Sequence, residues 1–198
     1  MCALSSAGCR ASCLHRAGRG GIYRPGESTN AIEQARIART RLYLDRPDEF
    51  RAQLTAEIQA HVSRAGRLGL VPCVRLNGTS DIAWERKAPW LFDTFPDLQY
   101  YDYTKVPGRD LLPANYHLTF SRSEDNWNDC ERALQGGRNV AAVFAGGVPD
   151  IFRGFRVFDG DATDLRFLDP VGIVVGLKAK GKAKRDATGF VVRDGGAN

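Results

Sequence analysis

Three cysteines crowd the start of the chain, Cys2, Cys9 and Cys13, spaced C-x6-C-x3-C with small and polar residues between them. No apolar face explains gathering them, whereas thiolates on one loop suit a soft metal ion or an iron–sulfur cluster. A closed zinc site is the alternative, with His15 as fourth ligand in C-x6-C-x3-C-x-H. Free thiols are the third reading. Cys73 and Cys130 lie far from this group. An odd total of five cysteines, with no export signal visible, points to a reducing cytoplasm rather than a disulfide framework.

A second group of chemistry-bearing residues follows strand-like runs. Asn77-Gly78-Thr79-Ser80-Asp81 ends the run 71–77, at the strand end where α/β folds build their sites. Ser80 or Asp81 is equally suited to capping a following helix. Arg75 shares a strand face with Asn77. In the next run, Tyr101, Tyr103 and Lys105 share one face and Asp102 and Thr104 the other. His117, Thr119 and Ser121 form the clearest polar strand face, with Ser123 just beyond. Asp159-Gly160-Asp161, with Asp164 and Asp169, lacks the glycine and terminal glutamate positions of a calcium loop and reads as solvated acids. No nucleophile elbow is present.

The elements that must position these residues read as follows. Ser28-Thr29-Asn30 offers an N-cap for a helix from about 31 to 44, and Pro47 opens a second that runs to Gly66 or Gly69. Strands are expected over 71–77, 98–105, 116–121, 139–144, 156–159 and 172–177. Helices are expected over 82–95, kinked at Pro89, and over 124–134. The runs 139–144 and 172–177 are almost wholly apolar, as in strands buried on both faces. Alternating strands and helices argue for a parallel sheet, and the polar face of 116–121 for one curled towards a barrel interior. The fold class is therefore α/β, a partial (β/α) barrel of mostly parallel strands. One domain is expected, divided as a cysteine loop (1–27), two helices (28–69), a strand/helix core (70–181) and a basic, flexible tail (182–198).

Composition narrows the partners. The 198 residues carry a net charge of +5, which permits contact with nucleic acid or anionic ligands. Arg36, Arg39 and Arg41 form one basic concentration; Lys178, Lys180, Lys182, Lys184 and Arg185 form another. Aromatics that would stack bases between those lysines are absent. No run approaches the roughly 18–20 apolar residues of a membrane span.

Several runs together resemble a phage-encoded family related to the gene product 88 group: Arg-Leu-Asn-Gly-Thr-Ser-Asp (75–81), Tyr-Asp-Tyr-Thr-Lys (101–105), Tyr-His-Leu-Thr-Phe-Ser (116–121), Arg-Phe-Leu-Asp-Pro (166–170) and Val-Gly-Leu-Lys-Ala-Lys-Gly (175–181). The resemblance covers most of the chain and implies no particular activity. It places the protein in the host cytoplasm. It also implies a strand before the first cysteine, so the expected barrel lacks its first strand. The order of motifs is similar to that of the radical S-adenosylmethionine superfamily. In that likeness Cys2, Cys9 and Cys13 stand for the cysteine loop that holds a 4Fe-4S cluster, with one iron left open for S-adenosylmethionine. Asn77–Asp81 stands for the glycine-rich loop at its methionine end, and Ser121 with Ser123 for the polar motif after the fourth strand. Arg75, Tyr103, Lys105 and Lys178 would then face an unidentified substrate. The cysteine spacing departs from the superfamily's usual C-x3-C-x2-C, and the loop carries one glycine and an aspartate.

Overall fold

The computed structural model describes residues 2–16, 18–24 and 26–193. They fall into two compact units, Met1–Leu14 with Val74–Asn198, and His15–Cys73. Residues 194–198 of the expected tail lie outside the described residues.

The chain opens on a short helix missed in the sequence, α1 (Ala7–Ala11), capped where Ser6 Oγ accepts from the Cys9 amide at 3.2 Å. The helical unit holds α2 (Ala31–Asp45) and α3 (Pro47–Arg67), close to expectation at both ends. Asn30 begins α2 by accepting from the Glu33 amide at 2.9 Å, while its side-chain amide donates to the carbonyls of Gly20 and Ile22. Pro47 begins α3, where its fixed φ and missing N–H cost nothing. Tyr43 meets Phe50 edge-on across the corner between the two helices, with ring centroids 5.2 Å apart.

The other unit is built on a sheet. Its elements are β1 (Cys73–Arg75), α4 (Trp84–Lys87), α5 (Trp90–Thr94), β2 (Gln99–Thr104), β3 (Tyr116–Ser121), α6 (Trp127–Gln135), β4 (Val140–Phe144), β5 (Ile151–Phe152), β6 (Phe155–Asp159), β7 (Val174–Lys178) and β8 (Val191–Val192). The expected single kinked helix is two short ones, because Pro89 disfavours helical geometry at Ala88. The sheet order is β1-β2-β3-β4-β7-β6-β5, an open path, with β8 paired to β4. Pairings from β2 through β4 and β7 to β6 are parallel, as is β4 with β8; β5 with β6 is an antiparallel hairpin. Two stretches assigned to the flexible tail are structured: a 3-10 turn spans Gly181–Arg185, and β8 lies beside Val143 and Phe144.

Strand alternation sends the two sheet faces to different tasks. Phe120, Val140, Ala142, Phe144 and Val174 pack with Cys130, Ala133 and Leu134 of α6 and with Phe152 in the main core. Burial there pushes the Cys130 thiol up to about 12, so it stays protonated and acts as a small apolar filler. On the opposite face, Ala141 and Val175 pack with Tyr103 and Leu177. That face leads, at the carboxyl ends of the strands, into a cavity.

Candidate functional site

The cavity measures about 520 Å³ and lies wholly within the sheet unit. Its wall includes all three N-terminal cysteines, the whole Asn77–Asp81 loop, Arg75, Tyr103, Lys105, Ser121 and Lys178. Residues separated by up to 188 positions in sequence, Cys2 and Phe190, thus meet on one wall at the ends of β1, β2, β3 and β7. Ser123 is the exception among the expected site residues. It is buried outside the cavity wall, with its amide donating to Asn126 Oδ1 at 2.6 Å and its hydroxyl to Asp125 at 2.7 Å, so it shapes the turn into α6.

The cysteine loop is held by Glu124, a contact that no local pattern in the sequence announces. One carboxylate oxygen accepts from Ser6 Oγ at 2.6 Å and the other from the Gly8 amide at 2.7 Å. Burial alone would raise the Glu124 pKa; these two donors outweigh it and hold the carboxyl below its ordinary range. Cys2 Sγ then approaches the Thr79 carbonyl at 3.2 Å, which ties the cysteine loop to the 77–81 loop.

The 77–81 loop rests on a buried polar scaffold. Asp102, fully buried, accepts from the Asn77 amide at 2.6 Å, from the Asn77 side chain at 3.2 Å and from Tyr116 Oη at 2.8 Å. Asn77 Oδ1 in turn accepts from Ser80 Oγ, the Ile82 amide and Trp84 Nε1. Asp81 has both oxygens engaged, one by the Lys105 amide at 2.8 Å and one by Arg109 at 3.2 Å. Its carboxylate therefore fixes the loop against the end of β2. Arg109, fully buried, also grips Glu85 with two nitrogens at 2.9 and 2.5 Å. Sequence reasoning passed over Arg109 because it sits in an irregular loop after Pro107-Gly108, outside any periodic pattern.

Other lining groups pair around the rim. Arg75 reaches Asp164 at 3.2 Å and lies 4.6 Å from the Tyr103 ring centroid. Burial pushes the Tyr103 phenol up to about 12, so it remains a neutral donor. Asp161 accepts from the Lys178 amide at 2.8 Å and from Lys180 Nζ at 2.7 Å. The acids expected to be solvated are thus mostly matched to cations: Asp169 faces buried Arg166 at 3.3 Å. His117, expected on the polar strand face, is half-buried and off the cavity wall, its pKa lowered by burial and by Arg166, so it is neutral at pH 7.

Burial pushes the Asp102 carboxyl up to about 7, against the pull of its hydrogen bonds. An acid whose folded pKa exceeds its unfolded value near 3.8 stabilises the fold most below that value. Its contribution then falls as pH rises to about 7, at most about 1.4 kcal/mol per pH unit. Glu124, Asp161 and Asp186, whose pKa values are lowered, lose their contributions only as pH falls through the ordinary carboxylate range. Neutral His117 contributes the opposite slope in both proteins, so urea denaturation between pH 5 and 7 should show Asp102→Asn gaining stability relative to wild type as pH rises. Parallel profiles would mean that Asp102 is ionised throughout.

Metal ligation depends on the thiols. Burial raises the Cys2 pKa, and the charges of Asp81, Cys13 and Cys9 push the same way. A bound cation would act in the opposite direction and favour the Cys2 thiolate. Among the described residues, no group of three His, Cys, Asp or Glu side chains is already set to hold a metal ion. Donor type and shared placement suit a thiolate-ligated group, and the side chains must close in to ligate it. His15, the fourth ligand of the zinc alternative, belongs to the helical unit, where it faces Glu33 at 3.4 Å.

Open sheet and cavity together define a mixed α/β protein with a cysteine-lined site at the carboxyl ends of parallel strands. No helix of the described residues is long and apolar enough to cross a membrane. The chain belongs to the gene product 88 family, whose family model matches residues 1–194. No curated protein and no solved structure matches it.

Proposed function

We propose that the protein binds a 4Fe-4S cluster through Cys2, Cys9 and Cys13 and, on a partial (β/α) barrel, uses it with S-adenosylmethionine in the manner of radical S-adenosylmethionine enzymes. The observation that carries this reading is the convergence of three cysteines, a glycine-containing loop and polar strand ends on one cavity. Such a cluster, with one iron free of protein ligands, would chelate the methionine end of S-adenosylmethionine and supply the electron that cleaves its sulfonium. The chain's own residues orient and shield. Glu124 seats the cysteine loop, Asp102 and Arg109 hold the 77–81 loop rigid, and Ser121 offers a hydroxyl beside it. Tyr103, Arg75, Lys105 and Lys178 remain on the wall to meet substrate.

Anaerobic reconstitution followed by iron, sulfide and zinc analysis tests the proposal. The expected product is brown, with broad absorbance near ~400 nm. Alanine at Cys2, Cys9 or Cys13 should remove most of the iron, and alanine at Cys73 or Cys130 should not. Stoichiometric zinc with negligible iron would overturn the proposal in favour of a structural zinc.

A second reading has its own support. The unit His15–Cys73 carries ten arginines and no lysine against six carboxylates, most of the chain's net positive charge. Arginine-rich helices suit phosphate backbones, so a nucleic-acid-binding protein is the alternative. Tight, steeply salt-dependent binding to DNA or RNA by protein that takes up no iron would favour it.

A further inference from the structure

We infer that the cavity takes a phosphorylated small molecule, held by Lys105, Arg122 and Lys178. The argument is one of unmatched charge. Of the cations on the wall, Arg75 is matched by Asp164 and Lys180 by Asp161, while the third lining acid, Asp81, is matched by Arg109 from behind. Lys105, Arg122 and Lys178 line the same cavity, and among the described residues no carboxylate stands within ion-pair distance of any of them. Each sits at the carboxyl end of a parallel strand: Lys105 just past β2, Arg122 just past β3 and Lys178 ending β7.

Arg122 is the most telling of the three. One of its terminal nitrogens donates to the Gly189 and Phe190 carbonyls at 3.0 and 2.8 Å, which fixes the guanidinium with uncharged partners. Its Nε is buried without any hydrogen-bond partner. Glu124 and Asp186 act on Arg122 only from beyond ion-pair distance, so an anion in the cavity would be its first directly paired charge. Lys105 Nζ lies 5.8 Å from the ring centroid of Phe190, itself on the wall, so a flat apolar surface adjoins the charge.

Three unmatched cations around one cavity suit a multiply charged anion. A single carboxylate, such as that of S-adenosylmethionine, would neutralise only one of them. The volume of about 520 Å³ falls in the range of small-molecule sites, about 300–1,000 Å³. This inference shares the cavity with the proposed cluster but not its evidence, since it concerns charges at other strand ends.

The test uses metal-free full-length protein, so its outcome is independent of iron binding. Inorganic pyrophosphate is titrated calorimetrically at low salt, with citrate as a multivalent carboxylate control. Saturable pyrophosphate binding is expected, weakened at least tenfold by Arg122→Gln and several-fold by Lys105→Gln or Lys178→Gln. Exposed Lys87→Gln, away from the cavity, should leave it unchanged. If Arg122→Gln fails to fold, the two lysine variants still decide the matter. Absence of saturable binding, or binding indifferent to Lys105 and Lys178, overturns the inference. Equal affinity for citrate overturns the phosphate assignment. Tighter binding of a single-stranded oligonucleotide, lost in the same variants, would give the cavity to a nucleic-acid end instead.

Discussion

Arg109→Met should destabilise the protein by about 3–5 kcal/mol, the loss typical of removing one partner from a buried ionic group. The guanidinium is fully buried and holds two carboxylates, Glu85 by a two-pronged contact at 2.9 and 2.5 Å and Asp81 at 3.2 Å. Both carboxylates are nearly as enclosed, with side chains 4% and 7% exposed. Without Arg109 they are left as neighbouring negative charges in a low-dielectric site. Thr104 Oγ1 and Tyr116 Oη, 3.1 and 3.4 Å from the same guanidinium, lose a partner as well. Arg109→Lys should recover only part of the loss, because an ammonium is a point charge and lacks the planar fork that spans two acids. The triple variant Arg109→Met, Asp81→Asn, Glu85→Gln should be more stable than Arg109→Met alone, since no buried charge then lacks a partner. Urea denaturation at pH 7 measures all three. A loss under about 1 kcal/mol for Arg109→Met would show that water reaches this network.

The network also explains why some of this molecule is legible in its sequence and some is not. β3 falls at the expected residues, Tyr116–Ser121, because an alternating run buried on one face and polar on the other has little freedom of register. α2 starts where expected because Asn30 is a local cap. The cavity wall was largely readable too, since sites at the carboxyl ends of parallel strands follow from topology once the strands are placed. The parts that were not readable depend on contacts distant in sequence. β8 is two residues long and exists only because β4 presents an open edge at Val143 and Phe144. Ser123 is indistinguishable by type from a ligand-binding serine, and only the fold turns it towards Asp125 and Asn126. Asp81 reads equally as a helix cap or as part of a site loop, and no local pattern points to Arg109, 28 residues later, which engages its carboxylate.

Gly8→Ala should detach the cysteine loop and remove most of the metal-binding capacity while leaving the sheet folded. A Cβ at Gly8 would collide with Thr188 Oγ1 and stand 2.6 Å from Phe190 Cβ and 3.0 Å from Glu124 Oε1. Real Cβ atoms do not approach other carbons so closely. The threonine cannot turn away freely, because its hydroxyl donates to Asp186 at 2.7 Å and accepts from the Phe190 amide at 3.3 Å. The Phe190 segment is anchored in turn by Arg122 and by β8. The lighter partner must move, and that is α1, five residues held chiefly by Glu124. Overpacking of this kind costs about 1–3 kcal/mol, enough to undock a short segment but not the sheet. Limited proteolysis should then cut within residues 2–13 of the variant many-fold faster than in wild type, with the remainder of the chain resistant. Iron uptake should fall to near that of the cysteine variants. Gly66→Ala, where an added methyl meets nothing within 4 Å, serves as the matched control and should be neutral or slightly stabilising. Glu124→Gln should give a milder form of the same phenotype, because the amide retains one acceptor but loses the charge that strengthens both contacts. Wild-type iron content in Gly8→Ala would show that the seat of α1 is irrelevant to the thiols, and the metal would then have to be sought elsewhere.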